Sequence, residues 1–191
     1  MKAFFKTFSE YVLATILLLI FLPLLVNLWD NYICRFDSNQ IPILIKKLSG
    51  GGSPLSSVAV AVPPGADKNE VVSAAKSFLY APYRFGGSSK NGVDCSGLTT
   101  KAFSATGIQL PRSVERQFRV GSYVENIQNL KVGDLVFFAT GFTGKATHVG
   151  IYVGEYKMIH ASSGYGKVLC VRINNSYYRN RFLGGRRVFT K

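Results

Sequence analysis

The spacing of apolar residues predicts helices first and strands afterwards. Apolar side chains recur at helical spacing over 68–80, where Asp67 is in position to cap the helix, and a second helix is predicted from Cys95 or Ser96 to about Ser104. A short helix should follow Pro111-Arg112-Ser113. Beyond Gly133-Asp134, alternating apolar positions predict strands at 135–139, 148–153, 156–161, 168–173 and 186–189. This order predicts an α+β domain with helices packed on an antiparallel sheet.

A continuous apolar stretch near the N-terminus predicts a membrane anchor. Residues 11–29 read YVLATILLLIFLPLLVNLW, close to the roughly 20 apolar residues that a transmembrane helix requires. Lys2 and Lys6 precede the stretch, so the positive-inside rule leaves the N-terminus cytoplasmic and exports the remainder. A cleaved signal peptide is the alternative. It is disfavoured because no Ala, Gly or Ser occurs between Ile16 and Asp37.

Composition then divides the chain into three parts. The run LSGGGSPLSSVAVAVPPGAD at 48–67 is rich in Gly, Ser and Pro, which is typical of a flexible connection. We therefore predict an anchor at 1–29, a linker region at 30–66 and one folded domain at 67–191.

Charge and cysteine content narrow the class of protein. Residues 67–191 carry 18 Lys and Arg against seven Asp and Glu, so the exported domain is basic and suits an anionic polymer. Export disfavours nucleic acid as the partner. The three cysteines do not form a disulfide framework, and Cys170, in an alternating segment, is interpreted as a buried structural thiol. No cluster has metal-ligand spacing, and no cofactor is expected.

The remaining chemistry centres on Cys95, His148 and His160. A nucleophilic cysteine needs a base, and the base needs a third polar group that fixes its tautomer and orientation. Cys95 lies at a predicted helix start, where backbone N–H groups and the helix dipole favour thiolate. Residues 148–161 read as a hairpin, and a three-residue loop at 154–156 would place both histidines on one sheet face. An even-numbered loop would separate them unless a bulge intervenes.

Six segments, in order, resemble the motifs of NlpC/P60 cell-wall peptidases, over roughly residues 68–190. They are Pro82-Tyr83-Arg84-Phe85-Gly86-Gly87, Gly92-Val93-Asp94-Cys95-Ser96-Gly97-Leu98, Leu110-Pro111-Arg112-Ser113, Gly133-Asp134-Leu135-Val136-Phe137-Phe138, His148-Val149-Gly150-Ile151-Tyr152 and Ile159-His160-Ala161. The resemblance implies a papain-like α+β fold and hydrolysis of peptidoglycan stem peptides, commonly between D-glutamate and diaminopimelate. The family often carries Trp where this chain has Phe85.

The resemblance also assigns roles to individual residues. Cys95 matches the nucleophile, His148 the general base and His160 the orienting residue, while Tyr83 matches a tyrosine thought to help hold the oxyanion. Asp94, Ser96 and Arg112 match positions that line the substrate groove. Simpler interpretations remain for three of them: Tyr83 as a core residue, Arg112 as a partner of a surface carboxylate, and Asp94 as a helix cap.

The sequence therefore predicts a membrane-anchored cysteine peptidase of the bacterial cell envelope, with its catalytic domain in the periplasm or at the outer face. Two alternatives belong to other classes. One is a non-catalytic component that binds wall peptide or docks within a trans-envelope secretion or conjugation assembly. The other is an acyltransferase or lipid hydrolase of the same superfamily, in which the motif order is usually permuted.

Overall fold

The computed structural model describes residues 58–141 and 144–189. The predicted anchor at 1–29 and residues 30–57 of the predicted linker lie outside these ranges. Within them, no helix combines the length and the apolar character needed to cross a membrane.

Four α-helices occur in the described part of the chain. They are α1 (Lys68–Lys76), α2 (Cys95–Ser104), α3 (Val114–Gln117) and α4 (Ser176–Arg179), and a 3-10 helix covers Ile127–Asn129. Asp67 caps α1 by accepting a hydrogen bond from the Asn69 N–H, as its sequence position predicts. The helix ends at Lys76 rather than near Tyr80, because Tyr80 takes a left-handed φ of 69° and donates its N–H to the Val168 carbonyl.

The strands form one small hairpin and one larger antiparallel sheet within the described residues. The hairpin joins β1 (Ser88–Ser89) to β2 (Gly92–Val93). The sheet contains β3 (Ser122–Val124), β4 (Leu135–Phe138), β5 (His148–Gly154), β6 (Lys157–Ser162), β7 (Lys167–Arg172) and β8 (Phe182–Arg187). Its order is β3-β8-β4-β5-β6-β7, and every neighbouring pair is antiparallel. The predicted α+β fold with helices and an antiparallel sheet is therefore confirmed.

Both faces of the central strands are buried, each in its own core. The helix-side core joins Val149 and Ile151 of β5 to α2 residues such as Leu98 and Phe103. The opposite core contains Tyr152 of β5 and Met158 of β6, together with the rest of a cluster that includes Val136, Phe138 and Ile173. Successive strand residues point to opposite faces, so β5 alternates between the two cores.

The hairpin of β5 and β6 differs from its prediction in detail but not in consequence. Its loop has two residues, Glu155 and Tyr156, both with left-handed φ values near those of a type I′ turn, 50° and 54°. A register shift between Tyr152 and Gly154 adds one residue to β5. This bulge restores the parity that the even-numbered loop would have broken, so His148 and His160 share one sheet face as predicted.

The last strand begins earlier than its pattern predicts. It runs over Phe182–Arg187, not 186–189, and pairs with both β3 and β4. Gly184 and Gly185 interrupt the apolar alternation, which hides the first half of the strand in the sequence. Gly184 has φ 131°, and the Tyr123 ring lies where a side chain would stand, so this position accepts only glycine.

Residues 58–66, the C-terminal part of the predicted linker, lie against the domain. The Val58 N–H donates to the Arg119 carbonyl at 2.6 Å, and Val58 forms a parallel bridge with Val120. Val60 and Ala66 pack against the helix-side core. The boundary between linker and domain remains a prediction.

The interpretation of Cys170 as a buried thiol is wrong. Cys170 is a free, exposed cysteine on β7, the strand at one edge of the sheet. It lies opposite Ile159 of β6 and shares a face with Val168, which is fully buried. Alternation gave the correct face, but it carries no information about where the covering helices end.

Candidate active site

Cys95 is the first residue of α2 and lies almost fully buried in the helix-side core. The backbone N–H groups of Val149 and Ser96 lie close enough to its sulfur to lower the pKa of the thiol. Burial nevertheless raises the pKa of the Cys95 thiol, and the charge of Asp94 adds to that rise. The helix start thus places the thiol against the first residues of β5, and its resting form is the neutral thiol.

His148 and His160 form a direct side-chain pair on the sheet. His148 Nε2 and His160 Nδ1 are 2.7 Å apart, and the two rings are perpendicular. His148 immediately precedes Val149, whose N–H contacts the Cys95 sulfur. Because Nε2 of His148 is engaged by His160, Nδ1 is the ring nitrogen left for the thiol. The structure therefore pairs the two histidines selected by the sequence analysis and places Cys95 beside the residue that follows His148.

Burial keeps both imidazoles uncharged near neutral pH. Loss of solvation lowers the pKa of His148 to about 4. Burial, and then repulsion by a charged His148, lowers the pKa of His160 to about 3. A neutral imidazole beside a neutral thiol is a general-base arrangement, in which the proton moves as the sulfur attacks.

A single glycine opposite His160 makes the histidine contact possible. Continuing the register from Ile151 and Ile159 places Gly150 opposite His160. A Cβ at Gly150 would lie 2.7 Å from Met158 Sδ and 3.2 Å from His160 Cβ. The His160 ring can lie diagonally toward His148 because this position carries no side chain.

Tyr178 extends the pair, and the sequence analysis missed it. Its hydroxyl lies 3.4 Å from His160 Nε2. Tyr178 belongs to α4, a single helical turn with no periodic signal, and only Asn175 before it has the character of a cap. A contact between residues 18 positions apart leaves no local pattern in a sequence.

Asp94, Ser96 and Arg112, the predicted groove residues, form one connected network. Arg112 donates to both Asp94 carboxylate oxygens at 2.8 and 2.7 Å and to Ser96 Oγ at 2.7 Å. Asp94 also accepts from the Gly97 N–H at 2.7 Å and from the Gly86 N–H at 2.8 Å. Asp94 thus caps α2, and Arg112 pairs with a carboxylate that is buried rather than on the surface. Their contact with substrate stays a prediction.

The charge of Asp94 is stabilised by this network. Burial alone would raise the pKa of Asp94, but hydrogen bonds from Arg112 and Gly97 outweigh burial and hold the pKa below its usual value. Arg112 keeps 45% of its side-chain surface exposed. The network therefore anchors the start of α2 and still presents part of the guanidinium to solvent.

Tyr83 lies close enough to the site to respond to its charges. Burial raises the pKa of Tyr83, and negative charge on Cys95 and Asp94 raises it further. The Tyr83 ring also packs against the helix-side core. The backbone N–H of Tyr83 donates to the Gly166 carbonyl at 2.7 Å. Core packing of Tyr83 is confirmed, and its role toward an oxyanion remains a prediction.

Gln117 is a second residue that the sequence analysis did not assign to the site. Although fully buried, it donates to the carbonyls of Ser96 and Pro111 at 3.1 and 2.7 Å and accepts from the Thr99 hydroxyl at 2.8 Å. It thereby ties the first turn of α2 to the segment that carries Arg112.

The chemistry present is that of a thiol, two imidazoles and a carboxylate–guanidinium pair. Across 58–141 and 144–189, no group of three or more His, Cys, Asp or Glu residues has the geometry to hold a metal ion. The arrangement supports covalent catalysis by a cysteine with an oriented base.

Comparison with known proteins places this domain. Residues 80–187 match the NlpC/P60 family. The chain belongs to the NlpC/P60 family. This confirms the resemblance carried by the six motifs, and an NlpC/P60 protein from Bacillus cereus shares the fold with a TM-score of 0.60 and 33% identity, over 66% of this chain and 41% of that one.

Two similar proteins carry names that state an activity. A protein of Escherichia coli K12 named murein DD-endopeptidase MepS/murein LD-carboxypeptidase is 43% identical over 110 residues, covering 57% of this chain and 56% of the relative. A gamma-DL-glutamyl hydrolase of Bacillus subtilis 168 is 39% identical over 121 residues, covering 62% and 29%. The chain thus spans about half, or less, of the length of these relatives.

Proposed function

We propose that this protein is a peptidoglycan hydrolase that cleaves stem peptides by cysteine catalysis. The observation that carries the proposal is the 2.7 Å contact between His148 and His160, next to the thiol at the start of α2. A structural role alone does not require a partly exposed imidazole to meet a buried one edge-on near a buried cysteine. The names of the murein endopeptidase relatives support the substrate class.

The geometry supports a two-step mechanism. Cys95 attacks the scissile carbonyl while its proton moves to Nδ1 of His148, and the C–N bond then breaks as His148 returns that proton to the leaving amine. A thioester on Cys95 remains. Water, deprotonated by the same imidazole, then adds to the thioester and releases the carboxylic acid and the free thiol.

Charge develops at two points during attack, and the site offers a partner for each. Imidazolium on His148 is stabilised by donation from Nε2 to Nδ1 of His160. The oxyanion would be held by backbone N–H groups at the start of α2 and by the Tyr83 hydroxyl. Asp94 and Arg112 keep this helix start in place and line the adjoining groove.

The substrate follows from charge and from the names of the relatives. Stem peptides of peptidoglycan carry free carboxylates, and a domain with 18 basic against seven acidic residues attracts them by long-range steering. Within the stem peptide we propose the bond between D-glutamate and diaminopimelate. The D,D cross-link, named in one relative, is the competing bond.

The N-terminal stretch fits this substrate. We propose that residues 11–29 anchor the protein in the cytoplasmic membrane and that the linker lets the domain reach the wall. Retention in the membrane fraction after alkaline carbonate washing, and its loss when 1–29 are deleted, would test the anchor separately from catalysis.

The test of the function is mass spectrometry of purified sacculi and defined muropeptides after incubation with full-length protein in detergent. Cys95→Ala is the inactive variant, and Cys170→Ala, at an exposed cysteine outside the site, is its matched control. New fragments split within the stem peptide with wild type and Cys170→Ala, but not with Cys95→Ala, would support the proposal and identify the bond. No cleavage by any protein, with retained binding to sacculi, would instead indicate a docking component.

A further inference from the structure

Tyr178 lies at the far end of the histidine pair and carries a role that the catalytic residues cannot supply themselves. We propose that Tyr178 is a positioning residue whose hydroxyl oxygen accepts the Nε2–H of His160 while Nδ1 of His160 accepts from His148. The inference rests on the proposed cysteine mechanism. Tyr178 would be the fourth residue of a hydrogen-bonded series that begins with Cys95, His148 and His160.

The positions of the hydrogens on the two imidazoles determine the direction of this hydrogen bond. When His148 has taken the proton of Cys95, both its ring nitrogens carry hydrogen, and Nε2–H must donate to Nδ1 of His160. A neutral His160 that accepts at Nδ1 carries its own hydrogen on Nε2. That hydrogen then points at the Tyr178 oxygen, 3.4 Å away. No other polar partner of His160 Nε2 is found among the described residues.

The Tyr178 oxygen is important as an acceptor because the His160 ring is buried. His160 is 3% exposed, so solvent has little access to its ring. A buried N–H without an acceptor is costly, and His160 carries its hydrogen on Nε2 both when His148 rests with Nδ1 free and when His148 is charged. Positive charge on His148 strengthens the hydrogen bonds of this chain, so Tyr178 stabilises the charged state that accompanies attack more than the resting state, which is the condition for accelerating the reaction.

The tyrosine is held in place by contacts that do not involve its hydroxyl. Its N–H is accepted by the Asn175 side chain at 3.1 Å, which caps α4. Its ring packs edge-on against Phe138, with centroids 5.1 Å apart, in the core opposite the helices. Replacing Tyr178 by Phe should consequently remove the acceptor and preserve the packing.

The hydrogen-bonded chain of His148, His160 and Tyr178, here called the relay, has few titratable neighbours. Tyr178 keeps its proton, since burial, with Tyr177 and Tyr165 nearby, raises its pKa to about 12. The groups that face the relay from the neighbouring elements are Cys95 and Asp94 beside α2, His148 on β5, Tyr165 in the β6–β7 loop, Tyr177 on α4, and Arg181, which stacks on Tyr177 at 4.2 Å. Of this set, Asp94 and Arg181 make no described hydrogen bond or ring contact with His160.

The chain provides a matched control on the same helical turn. Tyr177 is half exposed, packs against Tyr178 with centroids 5.0 Å apart, and makes no described contact with His160. Tyr177→Phe removes one hydroxyl from the same turn of α4 without touching the relay. Any effect of Tyr178→Phe beyond that of Tyr177→Phe is then assigned to the acceptor.

The experiment measures muropeptide hydrolysis against pH for full-length wild type, Tyr178→Phe and Tyr177→Phe. Loss of one hydrogen bond that strengthens as charge develops on His148 should lower kcat by about 5- to 20-fold in Tyr178→Phe, with KM unchanged. The acid limb of the profile should move to lower pH, because imidazolium on His148 becomes less stable without the acceptor chain. Tyr177→Phe should match wild type in kcat, KM and profile.

A spectroscopic measurement keeps this inference separate from the proposed function. Nitrogen-15 NMR of the imidazoles should show His160 protonated at Nε2 in wild type at a pH where His148 is charged, with the Nε2–H resonance shifted or exchange-broadened in Tyr178→Phe. Wild-type hydrolysis with identical profiles and spectra for both phenylalanine variants would overturn the role of Tyr178. Absence of hydrolysis by wild type would overturn the proposed function instead, whatever the spectra show.

Discussion

His148 and His160 meet diagonally across the β5–β6 pair, with Nε2 and Nδ1 2.7 Å apart, over a position that carries no side chain. That position is Gly150. The contact depends on three features: the parity set by a bulge, the absence of a Cβ at Gly150, and the burial of His160. Each feature can be changed separately.

Adding one methyl group at Gly150 should disturb the pair. In Gly150→Ala the new Cβ would lie 2.7 Å from Met158 Sδ and 3.2 Å from His160 Cβ, so Met158 must shift and His160 must move by a few tenths of an ångström. We expect a loss of about 1–3 kcal/mol in the free energy of unfolding, measured with urea, together with a lower kcat. Gly164→Ala is the control, since the nearest atom to its Cβ would be 4.0 Å away. Equal stability and activity of the two variants would contradict the role given to Gly150.

Replacing His160 by Ala, which removes the acceptor for His148 Nε2, should slow catalysis more than replacing it by Asn, which supplies another acceptor. His160→Ala leaves Nε2 of His148 without a partner, so we expect kcat to fall by about 10²-fold or more. His160→Asn offers a carbonyl oxygen near the same place and should retain more activity than the alanine variant. Steady-state kinetics on a defined muropeptide measures both. An alanine variant as active as wild type would show that His148 needs no orienting group.

Acid should destabilise the domain before it protonates the carboxylates. The folded pKa values of His148 and His160, about 4 and about 3, lie below the ordinary histidine value of 6.5, so the unfolded chain binds more protons as the pH falls from about 6.5 to 4. The free energy of unfolding should therefore fall in this window, by at most about 1.4 kcal/mol per pH unit for each buried histidine. Asp94, with its lowered pKa, titrates below the window.

His160→Asn removes one of the two histidines and tests the assignment of this pH effect. Urea unfolding at several pH values between 4 and 7.5 should give a smaller slope for the variant than for wild type. A wild-type stability that is flat across the window, or rises toward pH 4, would mean that the imidazoles are not buried in their neutral form.

The hydrogen bonds that Asp94 accepts from Arg112 and from two backbone N–H groups should contribute to the free energy of unfolding. Asp94→Asn leaves one oxygen to serve the Gly97 N–H, the Gly86 N–H and Arg112, so we expect a loss of about 2–3 kcal/mol in unfolding free energy. Arg112→Lys keeps the charge but loses the bidentate contact, and should cost about 1 kcal/mol. The order of the two losses is the test. Arg112→Lys as destabilised as Asp94→Asn would assign the effect to the guanidinium rather than to the helix cap.

The sequence placed the candidate catalytic residues in the correct elements because strong local patterns surround them. Cys95 lies between a capping aspartate and a helix, and the two histidines lie in strands whose alternation sets their faces. The hairpin loop was predicted one residue too long, because Glu155 and Tyr156 are not the residues that usually adopt a type I′ turn. The bulge compensated for that error in parity.

Long-range contacts between side chains left no comparable signal. Tyr178 and Gln117 reach the site across 18 and 21 positions, from segments whose patterns predict nothing about their partners. The exposure of Cys170 likewise depends on which elements cover the edge of the sheet, and alternation does not record that. Local periodicity therefore predicted most of the elements, including the helix that begins at Cys95, while the supporting contacts required the tertiary structure.

The most direct test of the central claim is to detect the acyl-enzyme on Cys95. Full-length protein would be mixed with a defined muropeptide, quenched in acid within the first turnovers and analysed by intact mass and peptide mapping. We predict an adduct with the mass of the acyl fragment on Cys95 in wild type and in Cys170→Ala, and neither adduct nor hydrolysis in Cys95→Ala. Hydrolysis by Cys95→Ala at the wild-type rate, or an adduct located on another residue, would contradict the account.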